Sequence, residues 1–96
     1  MDHTDLLAAS PYHVPAAKTV GLMWSDTAGD QTVFEIERST MSDFSQGVVT
    51  FYVPTPNVFE FFDAPGLSGP YFYEVCAINS GGSSTPWIYL GSATIS

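Results

Sequence analysis

The sequence predicts an all-β fold: a seven-stranded, two-sheet antiparallel sandwich with an extended N-terminal arm. Three observations lead there. Apolar and polar residues alternate with a period of two over several short stretches, the pattern of strands that bury one face. Those stretches are rich in β-branched and aromatic residues, which fit a pleated surface better than a helix. Clusters of Gly, Pro, Asn, Asp and Ser separate them at intervals of roughly eight to twelve residues, the spacing of a sandwich. A chain of 96 residues is one domain, and at this size folding buries roughly 60–65% of the exposed surface, enough for one core.

Taken in order, residues 1–17 form the arm and residues 18–96 the sandwich domain. Leu6-Leu7-Ala8-Ala9 predicts a first edge strand near Asp5 to Ala9. Pro11 and Pro15 then punctuate an extended piece carrying Tyr12 and Val14, and proline suits an edge, where no neighbour needs its missing N–H. Thr19 to Ser25 places Val20, Leu22 and Trp24 on one face, with Trp24 as the largest core anchor. After the turn Asp26 to Asp30, Thr32 to Ser39 sets Phe34, Ile36 and Arg38 against Val33, Glu35 and Glu37, with Phe34 and Ile36 inward and the carboxylates outward. Ser42 to Gly47 reads as a loop with Phe44 tucked in. Val48 to Val53 is a strand whose phase stays open, because Val, Phe and Tyr occupy both sides, and Pro54 and Pro56 mark it as an edge or the start of a crossing. Val58 to Asp63 sets Phe59 and Phe61 against Glu60, and Ala64 to Pro70 is a tight connection. Trp87 to Ile95 is the last strand, with a bulge expected at Gly91.

The chain is organised around Tyr71 to Gly82. Tyr71, Tyr73, Val75 and Ala77 share one side of this strand, and Phe72, Glu74, Cys76 and Ile78 share the other. Both sides are largely apolar, so the strand is expected to be central and covered on both.

Composition excludes several function classes. Two basic residues, Lys18 and Arg38, stand against ten acidic ones, for a formal charge of −8. Nucleic acid is recognised by neutralising phosphates, and two cations cannot form the stripe this needs; anionic membranes are disfavoured for the same reason. Cys76 is the single cysteine, so packing rather than an internal disulfide must hold the fold. The N-terminal residues carry neither the basic nor the apolar region of a secretory signal, and no run reaches membrane-spanning length.

The residues resemble the fibronectin type III family. Val20-Gly21-Leu22-Met23-Trp24 is similar to the family's second strand with its core Trp, and Phe34-Glu35-Ile36-Glu37-Arg38-Ser39 to its third. Tyr71-Phe72-Tyr73-Glu74-Val75-Cys76-Ala77-Ile78-Asn79 resembles its sixth. The resemblance implies that Tyr71 is a tyrosine corner, its hydroxyl bonded to backbone just upstream. It also implies a spacer or binding scaffold, since the fold dictates no reaction. Asn79 to Pro86 lacks Arg-Gly-Asp, so the integrin-binding mode of some members does not carry over.

Catalytic and metal chemistry are not expected, and neither is any cofactor. His3 and His13 lie in the least regular part of the chain with no partner ligands in prospect. Cys76 lacks a supporting base, and Glu35 and Glu37 read as a solvated outward pair rather than a glycosidase dyad. What stands out is surplus apolar surface. Phe72, Cys76 and Ile78 fall on the outward phase of the central strand beside Val33, and Phe51, Leu6, Leu7 and Tyr12 add to the candidates for a protein interface. The competing expectation is that the chain's own arm folds over this patch. Trp24, Phe34, Ile36, Tyr71, Tyr73 and Val75 are the expected structural core. A non-enzymatic subunit packing on a larger assembly, such as a virion decoration or accessory protein, is the favoured reading. An adhesion or carbohydrate-binding module, with Tyr52, Trp87 or Tyr89 stacking on sugar rings, is the alternative, beside a spacer domain of an extracellular protein.

Overall fold

The computed structural model describes residues 6–8, 11–14, 18–26, 31–54, 59–79 and 87–95. Eight strand segments run in chain order: β1 (Leu6–Ala8), β2 (Tyr12–Val14), β3 (Thr19–Asp26), β4 (Gln31–Ser39), β5 (Val49–Val53), β6 (Glu60–Asp63), β7 (Gly69–Asn79) and β8 (Ile88–Ile95). They form two antiparallel sheets. In one, β3 pairs with β1, β2 and β6; in the other the order is β5-β4-β7-β8. Every pairing is antiparallel.

The arm contributes to the sandwich. Ala8 lies opposite Trp24 and Tyr12 opposite Gly21, so β1 and β2 follow one another along β3 with a one-residue slip in register. That is the pattern of one edge strand broken at a bulge, and counting it once gives the seven strands that periodicity predicts. Pro11 sits in the break and is part-buried. Opposite it, the last strand bulges: the β7–β8 register shifts between Tyr73 and Glu74, and Gly91 takes a φ of 131°. A Cβ on Gly91 would lie 2.8 Å from Pro11 Cδ. Only glycine tolerates both that backbone conformation and that approach. The described arm segments are therefore spent on β3 and β8, not on the outward side of the four-stranded sheet.

Between the sheets lies the core that alternation assigns. Val20, Leu22, Phe34, Ile36, Tyr73, Val75 and Ala77 are fully buried, and Trp24, Val53, Tyr71, Leu90 and Ile95 nearly so. Trp24 meets Phe34 edge to face with ring centroids 5.3 Å apart, and Phe34 meets Phe59 at 5.7 Å. Such T-shaped pairs add directional attraction to the burial of large rings. The structure also resolves the open phase of β5: Val53 and Phe51 pair with Phe34 and Ile36 and turn inward, while Tyr52 turns out.

Candidate interaction face

On the strand pair β4–β7, alternate residues face opposite ways, so each rung presents one pair to the core and the next to the outside. Arg38 opposes Tyr73 on an inward rung, and Glu37 opposes Glu74 on the neighbouring outward one.

The inward rung ties the two sheets together. Asp63, the last residue of β6, is 4% exposed and accepts bonds from Arg38 Nη1 on both oxygens at 3.0 Å. Tyr73 Oη donates to Asp63 Oδ2 at 2.7 Å. The guanidinium also lies 5.6 Å from the Phe51 ring centre and 5.4 Å from that of Tyr71, favourable to a cation over aromatic faces. Burial, the bond to Asp63 and the negative charge on Asp63 push the Tyr73 phenol upward, so it remains a donor. Nearby, Tyr71 Oη donates to the Leu67 carbonyl at 2.9 Å, the tyrosine-corner bond that fixes the start of β7. The chemistry of this cluster is that of a structural clasp: every charge in it is paired.

The outward side is built differently. Across the sheet, Thr50, Glu37, Glu74 and Tyr89 occupy one row, and Tyr52, Glu35 and Cys76 the next. Val33 and Ile78 pair beyond them at one end and Phe72 lies at the other, so carboxylates divide the apolar surface in two. Burial, then a hydrogen bond with Glu37 and its charge, hold Glu74 up to about 7. Cys76 Sγ lies 4.0 Å from Glu35 Oε2. Burial, and the charges of Glu35, Glu37 and Glu74, push its thiol up to about 12, so it is no thiolate nucleophile at neutral pH.

The loop from 40 to 48 reaches this side of the sheet through Phe44. Ser39, fully buried, donates through Oγ to the Gln46 carbonyl at 2.6 Å and accepts from Met41 N at 3.0 Å. Asp43 accepts from Ser45 N and Oγ, and these bonds hold its carboxyl below the usual range. Phe44 takes a positive φ of 57°, which directs its ring across β7 to meet Tyr89 edge to face at 6.5 Å.

The residues singled out from sequence thus divide. Val33, Phe72 and Ile78 are half-buried on the outward side. Cys76 faces outward too but is only 3% exposed, already covered by its neighbours. Phe51 is a correction: its ring packs on the core and lies 5.1 Å from Phe61, because its partner Ile36 is an inward residue. Leu6, Leu7 and Tyr12 lie on β1 and β2, away from this sheet's outward side, and the surroundings of their side chains fall outside the described residues. His3 also falls outside them, as does the His13 side chain. Tyr52, Tyr89 and Trp87 are 59%, 53% and 38% exposed. Sequence reasoning missed the Arg38–Asp63–Tyr73 cluster, and it missed Met23 and Phe62, which lie exposed on the outer side of the other sheet.

Among the described residues there is no pocket, no group of three or more His, Cys, Asp or Glu placed to hold a metal ion, and no helix long and apolar enough to cross a membrane.

The chain is similar in structure to a fibronectin type III-like protein from Clostridium thermocellum, with a TM-score of 0.61 and 22% identity over 95% of this chain and 85% of that one. It is also similar to part of the pectate lyase Pel3 from Pectobacterium carotovorum, with a TM-score of 0.70 and 20% identity; the match covers 94% of this chain but only 26% of the lyase. A structure described as a myokine matches with a TM-score of 0.60 and 10% identity over 94% of this chain and 97% of that one. No protein-family model matches, and no curated protein is significantly similar. The fold is fibronectin type III-like; at these identities the likeness concerns the fold alone.

Proposed function

We propose that this chain is a non-enzymatic interaction module that packs on another protein of a larger assembly through the outward face of its four-stranded sheet. The observation that supports this reading is the exposure of Tyr52 and Tyr89 at opposite edges of that face, with Trp87 just before β8. Single exposed aromatics are ordinary. Several on one otherwise built face fit the aromatic enrichment of protein interfaces. A small acidic sandwich of this kind suits a subunit that decorates a capsid or tail, and a virion is the assembly we favour.

The test is co-sedimentation of the folded chain with purified virus particles from its source, using the wild type beside Tyr52→Ser and Tyr89→Ser. Loss of binding in both variants with unchanged melting temperatures is the expected result. No wild-type binding, or binding indifferent to both substitutions, overturns it. A chain shortened to start at Ala16 lacks β1 and β2, so it would report on folding instead.

The likeness to part of a pectate lyase favours a second reading, a carbohydrate-binding module. Tyr52 and Tyr89 stand on the outermost strands, separated by β4 and β7, about 14 Å apart at the usual strand spacing, so they cannot stack on one ring. Each would have to hold its own sugar unit. Titration with pectic oligosaccharides, followed by tryptophan fluorescence, separates the readings.

A further inference from the structure

We infer that the outward face is a proton-dependent switch: Glu37 and Glu74, directly opposed on β4 and β7, hold one proton between them and lose it as the medium turns alkaline. Directly opposed residues in an antiparallel pair have Cβ atoms about 5 Å apart. Ile36 and Val75, the inward neighbours of the two glutamates, are themselves paired and fully buried, so the strands cannot separate to relieve repulsion. Side chains as long as glutamate on directly opposed residues can bring their carboxyl groups together. A protonated carboxyl donates to a carboxylate, whereas two carboxylates can only accept and repel.

Among the described residues, no charged group nearby compensates. Glu35 stands on the next row of β4 and adds negative charge, and Cys76 beside it on β7 is a neutral thiol. Thr50 and Tyr52 from β5, and Tyr89 from β8, are uncharged neighbours. On the loop that reaches Tyr89, Asp43 is a further negative group, exposed and bonded to Ser45. Arg38 adjoins Glu37 in sequence but is turned inward to Asp63, and Lys18 is exposed beside β3 in the other sheet.

The sign follows from the raised folded value of Glu74. An unfolded glutamate titrates near pH 4.3, about the model-peptide value. The shared proton therefore favours the folded state fully below that pH, and its contribution is lost as pH rises through about 7. Where the switch bears on docking, it rests on the proposed interface: a partner covering the face excludes water from the pair, which favours the shared proton, so docking tightens on acidification.

The experiment needs no partner. Carboxyl carbon NMR of the intact chain, assigned with Glu37→Gln and Glu74→Gln, is followed from pH 3 to pH 9, with melting temperature measured alongside. The expected result is one wild-type carboxyl titrating near neutrality and a melting temperature that falls between about pH 4 and pH 7. Glu74→Gln should abolish the titration near neutrality and remove at least half of that fall. Two independent titrations below pH 5 overturn the inference, as does a fall that Glu74→Gln leaves unchanged. Should one variant fail to fold, the wild-type titration still decides. Because the titration involves no particle, failure of the docking reading leaves it standing, and its own failure leaves the co-sedimentation result unaffected.

Discussion

The two sides of the β4–β7 ladder carry opposite solutions to the same problem, charge on a strand. On the inward rung Arg38 and Tyr73 converge on Asp63, so the buried carboxylate meets a cation and a hydroxyl donor. One residue along each strand, Glu37 meets Glu74 with no described cation beside it. Burial accounts for the difference. An unpaired charge between the sheets would cost several kcal/mol, roughly the penalty left after relaxation, so the inward side has to be satisfied. Outside, water screens the repulsion enough for a mismatch to persist, and a proton can relieve what remains. The inner rung therefore fixes the fold, and the outer rung can respond to conditions.

The comparison breaks most visibly at Asp63. Asp63→Ala leaves Arg38, 16% exposed, and the Tyr73 hydroxyl without their acceptor. Removing one partner of a buried pair typically costs about 3–5 kcal/mol, so we expect a loss of that order in urea denaturation. The double variant Arg38→Met, Asp63→Leu should recover much of it, because well-packed apolar replacements are often neutral. A loss in Asp63→Ala below about 1 kcal/mol, the range of an exposed pair, would show that the clasp is not buried in any energetic sense.

The two tyrosines of β7 sharpen the same contrast at smaller scale. Tyr73→Phe removes a bond to a buried carboxylate and should cost roughly 1.5–3 kcal/mol, the range for bonds to charged groups. Tyr71→Phe frees only the carbonyl of Leu67, a residue 74% exposed, which water can satisfy; about 1 kcal/mol is expected. Equal losses in a denaturant series would mean that Asp63 is better hydrated than its burial implies.

Much of the fold could be read from the sequence because sheet periodicity is strict. Phe34, Ile36, Tyr73 and Val75 had to share one side once the strands were recognised, and Gly91 marked its bulge. The phase of Val48 to Val53 stayed open because both sides carry large apolar residues; only pairing with Phe34 and Ile36 sends Phe51 inward. The clasp left a trace that went unused. Arg38 follows Phe34 and Ile36 on the inward phase, and Asp63 follows Phe59 and Phe61 on theirs; two opposite charges on core-facing phases imply a buried pair. The candidate face was less legible. Alternation identified Phe72, Cys76 and Ile78 as outward, but cover depends on where a loop travels, and the reach of Phe44 to Tyr89 rests on a positive φ and a set of loop bonds that no periodicity encodes. That Glu37 opposes Glu74 is a matter of register between strands 37 positions apart, which the local pattern of neither strand specifies.

The smallest effect has the opposite sign. Glu37→Lys turns the outer rung from like to unlike charges, and an opposed ion pair on a sheet contributes roughly 0.2–1 kcal/mol relative to a neutral pair. Because Glu35 lies two residues away on the same side, the new ammonium would have a second carboxylate within reach. The substitution should therefore raise the melting temperature slightly at pH 8. The gain should shrink in 1 M salt, where the Debye length is about 3 Å. It should shrink on acidification as well, since the wild-type pair regains its shared proton there and has less repulsion to lose. A destabilising Glu37→Lys at pH 8 would place the two glutamates too far apart to interact, and would make the outer rung as indifferent to charge as an ordinary solvated surface.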